Sequence, residues 1–376
     1  MKSEKIGYVE AIALITIVMI NKIILNTPKD IIAKNGPASC LNVLYISAIA
    51  IAIVCLISYL LKKFPGKDIL DISEFLGGKP LKVAIGMAYV LLLIMLTASI
   101  IKNLSETLRI IYFKTSPILF IALFFIVSST ICNRFSIKVI AKANLIISPA
   151  IFISVIIILA SSIKNFMPER IFPILGYGLN QTFFSGLSNI FSFSGILYLL
   201  FLPPLLDKPN KLKRMSVIAI IISSVYLLLS VTCLLLSLSF TMNSDESFSL
   251  YVLTRNLDYG RFIQRVDAVF ILIWIIAIVS YINIPISLCI YIFKKLTNIS
   301  DTNSINYSIN LLILAISIIP IEYAIFATFV ARSVQYSFLI LFFAISIPIL
   351  IIANLKLKFT NARKEPFRNI ENFNET

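Results

Sequence analysis

Apolar runs long enough to cross a hydrocarbon core of roughly 30 Å, about 20 helical residues each, recur from one end of the sequence to the other. Hydropathy and turn signals predict ten helices, at about 6–25, 39–61, 82–103, 117–132, 137–163, 183–205, 215–240, 266–293, 306–323 and 335–355. The connections are short. The longest, from about 241 to 265 and after Leu355, are too small to fold as a domain. The expected organisation is one transmembrane domain over 1–358 and a short cytoplasmic tail over 359–376. The first run is kept as a span, because it continues to Leu25 and meets Asn26, Thr27 and Pro28 where a secretory signal has a small-residue cleavage site.

Composition agrees. The chain is 59% hydrophobic and 14% charged with mean hydropathy +0.96, outside the range of soluble domains. Its net charge of +15 suits nucleic acid or anionic lipid, and the placement of the charge decides between them. With the N-terminus cytoplasmic, about 21 of the 33 basic residues fall in inner segments and about 11 in outer ones, with Lys22 left inside a span. The excess is therefore a topology signal with an attraction to membrane lipid, both termini face the cytoplasm, and no nucleic-acid partner is expected. Histidine is absent, so the commonest metal ligand and near-neutral proton carrier is missing. Cys40, Cys55, Cys132, Cys233 and Cys289 lie scattered in apolar segments without CxxC spacing and read as packing residues. With no phosphate-cradling loop and no nucleophile near a base, the sequence points to no enzyme, no catalytic residue, no metal and no cofactor.

Ten spans divide into five plus five, and transporters built from two inverted halves open each half with a discontinuous helix at the binding site. The matching interruptions here are Ile20-Asn21-Lys22 in span 1 and "SNIFSFSGIL" (188–197) in span 6, where Ser192, Phe193, Ser194 and Gly195 dilute the helix with weak formers. A break frees backbone groups that membranes tolerate only beside protein or a wet cavity. Its helix N-termini suit a carboxylate and its carbonyls an ammonium or cation, which together match a zwitterionic amino acid. Close helix packing is the lesser, competing account of Ser and Gly in span 6. Lys22 is sharper: an ammonium at bilayer depth costs at least about 2.5 kcal/mol unless hydrated, paired or snorkelling. Beside a break it would hold a ligand carboxylate or replace a coupling cation; near a straight helix end it would snorkel.

Spans 3 and 8 complete such cavities, so Tyr89, Thr97, Ser99, Trp274 and Ser280 are weighed as ligand contacts against ordinary interface and packing roles, and Tyr198 lies one turn past the span 6 break. Glu106 with Arg109, and Arg265 with Asp267, read as local pairs. Glu10 and Glu322 lack an obvious partner; either could take up a proton if the protein moves its ligand, and snorkelling to the interface is the favoured account of both.

Four motifs carry a family resemblance. "KKFPGKDILDISEFLGGKPL" (62–81) resembles the basic Phe-Pro-Gly loop after span 2 of the spore germination permeases, the B subunits of GerA-type nutrient receptors. "MPERIFPILGYGL" (167–179) and "FLPPLLDKPNKLKR" (201–214) resemble the entry to and exit from their span 6, and "GRFIQRVDAVFILIWIIAI" (260–278) the start of their span 8. The matches stand in order from about 5 to 358. Two positions depart: Asn21 and Lys22 stand where relatives often have a glycine-rich break, and Ser194 and Gly195 where they often have a glutamate.

The resemblance implies an all-α polytopic fold of the amino acid-polyamine-organocation transporter type, with ten helices in a 5+5 inverted repeat like that of LeuT and discontinuous helices 1 and 6. It also implies a germinant-sensing subunit in the spore inner membrane, working beside A-type and C-type receptor subunits on a small nutrient, commonly an amino acid. A secondary amino-acid permease coupled to protons or cations is the alternative. The expected ligand contacts are Ile20, Asn21, Lys22, Ser192, Phe193, Ser194, Gly195, Tyr198, Thr97 and Trp274.

Overall fold

The computed structural model describes residues 5–25, 27–237, 266–299, 301–319 and 330–358. They are almost wholly helical: α1 (Tyr8–Leu25), α2 (Thr27–Asn35), α3 (Ser39–Lys62), α4 (Ile69–Ile111), α5 (Ile118–Cys132) and α6 (Ile137–Ser161) precede α7 (Asn180–Leu200). Then follow α8 (Leu212–Ser237), α9 (Val266–Thr297), α10 (Thr302–Ser317) and α11 (Arg332–Lys358). Among the described residues seven helices are long and apolar enough to cross a membrane. The chain is a multi-pass membrane protein.

An additional helix and both ends of span 3, expected at 82–103 and found at Ile69–Ile111, differ from the sequence reading. α1 ends at Leu25, as expected of the first span, but it is followed by α2, a helix absent from the reading, which buries Pro28, Ile31, Ile32 and Asn35 against α3, α7 and α8. Its charges, Lys29, Asp30 and Lys34, hide it from a hydropathy scan. Span 3 was expected to start at 82, but the helix begins at Ile69, because Asp68 caps it: Asp68 Oδ1 accepts from the Asp71 amide (3.0 Å) and Asp71 Oδ2 from the Asp68 amide (3.3 Å). The chain bends at Gly77 and at Gly78, whose φ of 70° is one that glycine adopts without strain. The expected pairing of Glu106 with Arg109 is present at 2.9 Å. Arg265, Glu322 and Pro320 lie outside the described residues.

α1 sits at the centre. Every residue from Ala13 to Ile24 is buried, as expected of a helix that is apolar on all sides, and it packs on α6, α7, α8 and α9. Two contacts pin its ends. At the start, the Ile6 amide donates to Leu205 O (2.8 Å) and Asp207 donates back to Ile6 O (3.0 Å), while Glu10 Oε2 accepts from the Gly7 amide (2.8 Å). That bond makes Glu10 a helix-start cap. At the far end of the passage, Lys34 Nζ donates to Ser188 Oγ (3.0 Å), and Gln335 Nε2 of α11 donates to Ser188 O (2.9 Å).

A polar cluster closes the end of the bundle at which α1 starts. Asp68, whose side chain is fully buried, accepts from Tyr291 Oη (2.6 Å) and Lys295 Nζ (2.7 Å), and Lys295 also reaches Asp71 (2.8 Å). Burial pushes the Asp68 carboxyl above the ordinary range, and the Lys295 ammonium opposes that shift.

Candidate ligand-binding site

The site is built on α1 and α7. α1 is unbroken through Ile20, Asn21 and Lys22, contrary to the expected interruption there. Asn21 stays helical by turning its own amide onto Ile17 O (2.9 Å), and the long stem of Lys22 is compatible with a helix. The change of element comes later: α1 ends at Leu25 and α2 starts at Thr27, with Pro28 in its first turn, where a missing backbone donor does least harm.

α7 is irregular where expected. Its first turn, Asn180–Phe184, is π-wound, the remainder, Ser185–Leu200, is tightly 3-10-wound, and Phe193 leaves the helical range (φ −95°, ψ 22°). Lys22 reaches this irregularity. Its ammonium donates to Phe191 O (3.1 Å) and Ser194 Oγ (2.5 Å) and lies 3.4 Å from the centre of the Phe191 ring. The residue is 8% exposed, and among the described residues it has no carboxylate partner. Lys22 thus lies in the last turn of an unbroken α1, where a straight helix was expected to place it, but its buried ammonium turns inward onto α7.

Phe191 and Ser194 line a cavity of about 20 Å³, together with Val18, Leu92, Leu93, Leu96, Leu197, Tyr198, Tyr281, Val334 and Phe338. Five helices, α1, α4, α7, α9 and α11, therefore meet there. The volume holds about one water molecule. Phe191 and Phe338 pack edge to face across it (5.4 Å), and Phe338 stacks on Phe342 (5.4 Å). The Tyr198 hydroxyl is buried with no acceptor among the described residues.

Of the expected contacts, Ser194 and Tyr198 line the cavity and Lys22 bonds two of its walls. Ile20, Ser192 and Phe193 are buried beside it without lining it. Gly195 serves close packing: a Cβ there would meet Met19 Cε at 2.9 Å. Thr97 spends its hydroxyl on Leu93 O (2.7 Å), and Tyr89 bonds Ser346 (2.5 Å) in α11. Trp274 is buried and does not line the cavity; Tyr281, two turns along the same face, does. The sequence reading missed Phe191, Leu92, Leu93, Leu96, Val334 and Phe338, all apolar and unmarked by any polar neighbour pattern. One signal was available: Val18 and Lys22 are four apart, so they share a face of α1.

The family model described as "Spore germination protein" matches residues 5–324. The chain belongs to that family. Among curated relatives, Spore germination protein B2 of Bacillus subtilis (strain 168) is 24% identical over 279 residues, 73% of this chain and 75% of the relative. Spore germination protein KB of the same organism is 21% identical over 286 residues, 73% and 74% of the two chains. Of the solved structures, MhsT in complex with L-phenylalanine superposes with a TM-score of 0.70 at 15% identity, covering 91% of this chain and 87% of that one. A mutant of the Eremococcus coleocola manganese transporter gives 0.53 at 15% identity, covering 92% and 76%. The family member thus shares the fold of these transporters. Family and fold are those of membrane receptors and permeases, not of an enzyme.

Proposed function

We propose that this chain is the germinant-binding membrane subunit of a spore nutrient receptor, residing in the spore inner membrane with both termini cytoplasmic. Its ligand is a small nutrient, an amino acid first among candidates. The observation that carries the reading is the buried Lys22 ammonium bridging α1 to the irregular part of α7, where it bonds Phe191 and Ser194, two residues that line a cavity. MhsT is in complex with L-phenylalanine, in keeping with a ligand of that size in a related fold.

A cavity of about 20 Å³ is far too small for an amino acid, so ligand entry has to separate its walls. The walls belong to different elements, and two of them, α7 and α11, are joined to each other and to α2 at Ser188. Swelling the cavity therefore loads the Lys34–Ser188–Gln335 contact. A ligand that binds the expanded form better shifts the population toward it, and partner subunits of the A and C types read the change by contact.

The test is germination of spores lacking this gene, complemented with parent or Lys22→Met, across a panel of amino acids and sugars. The parent restores the response to at least one nutrient and the variant does not, at equal protein level in the membrane. Equal nutrient sensitivity in both strains refutes the reading. Uptake into proteoliposomes separates receptor from permease: binding without turnover is expected, and nutrient-dependent flux makes the chain a permease.

A further inference from the structure

Donors outnumber acceptors around the cavity. The Lys22 ammonium has three N–H groups and two acceptors, Phe191 O and Ser194 Oγ. No carboxylate among the described residues pairs with it, and none lines the cavity. Tyr198 brings a buried hydroxyl without an acceptor. The backbone carbonyl and hydroxyl at the α7 irregularity, which would receive a ligand ammonium, are already bonded to Lys22.

A second cation placed against Lys22 would meet like charge in a low dielectric, where repulsion is strong. A carboxylate would instead supply the counter-charge that the buried lysine lacks, through charge-assisted hydrogen bonds. Apart from Tyr281, the remaining walls, Val18, Leu92, Leu93, Leu96, Leu197, Val334 and Phe338, are hydrocarbon.

We propose that the site recognises its ligand by the carboxylate alone: Lys22, with Tyr198 beside the cavity, selects a monocarboxylate with a compact apolar body, and an α-ammonium group is dispensable. This rests on the receptor reading and narrows its ligand class.

The experiment is thermal unfolding of the purified full-length protein with three matched trios. These are L-alanine, propionate and ethylamine; L-leucine, 4-methylpentanoate and 3-methylbutylamine; and L-phenylalanine, 3-phenylpropanoate and 2-phenylethylamine. In at least one trio the amino acid and its deaminated acid raise the midpoint at comparable concentrations, and the amine needs about 30-fold more or has no effect. Lys22→Met abolishes the shift by both acids. An amine that stabilises as well as its acid overturns the inference, as does a deaminated acid that does nothing where the amino acid binds; both leave the receptor reading intact. No shift in any trio overturns the inference and leaves the receptor reading to the germination test. Should Lys22→Met not fold, the trio comparison on the parent protein decides alone.

Discussion

Lys22 Nζ stands 2.5 Å from Ser194 Oγ, joining α1 to α7 one residue past the non-helical Phe193. Acceptors left by an irregular membrane helix are natural seats for cations. Here the seat is filled by a cation tethered to the chain. Ligand affinity, measured by thermal shift in sodium chloride and in choline chloride, is expected to agree within about twofold, whereas a dissociable coupling cation would produce a shift of about fivefold or more.

Gly195 lets α7 approach α1 closely. An added Cβ would lie 2.9 Å from Met19 Cε and 3.0 Å from Met19 Cγ, atoms of a flexible side chain that gives way at modest cost. Gly195→Ala should destabilise by about 1 kcal/mol. In a Met19→Ala background the same substitution should cost less than half as much, and denaturant unfolding of the four proteins measures the coupling. Additive effects would place the strain elsewhere.

Asp68 and Lys295 tie the loop after α3 to the end of α9, with the Asp68 side chain wholly buried. Removing only the lysine leaves an uncompensated buried charge, so Lys295→Met should cost about 3 kcal/mol. Adding Asp68→Asn, which keeps an acceptor for the α4 cap, should recover most of that loss. A double variant no more stable than Lys295→Met alone would rule out charge burial as the cause.

Phe338 is the part of the cavity wall contributed by α11 whose ring meets Phe191. Phe338→Ala should cost about 3 kcal/mol through the void it leaves. Larger apolar ligands should then stabilise this variant more than they stabilise the parent, in the same thermal assay. An unchanged size preference would show that the ring does not bound the ligand.

Much of the bundle was legible because membrane helices are marked by long apolar runs: the expected 39–61 is Ser39–Lys62, and 117–132 is Ile118–Cys132. The irregular stretch around Ser194 was legible too, since serine and glycine are weak helix formers. Asn21 misled because the same amide that weakens a helix in solution can bond back to Ile17 O inside one. α2 was missed because Lys29, Asp30 and Lys34 lower its hydropathy although Ile31 and Ile32 are buried. The hydrocarbon walls left no trace, because Leu93 or Phe338 looks the same in sequence whether it faces lipid, core or ligand.

The paired backbone of Ile6 with Leu205 and Asp207 has a mechanical consequence. It fastens the start of α1 to the segment that follows α7 like a stitch, so parting the two on that side requires the stitch to be undone. Amide deuterium uptake at Ile6 and Asp207 should accordingly rise in concert, as one unzipping event.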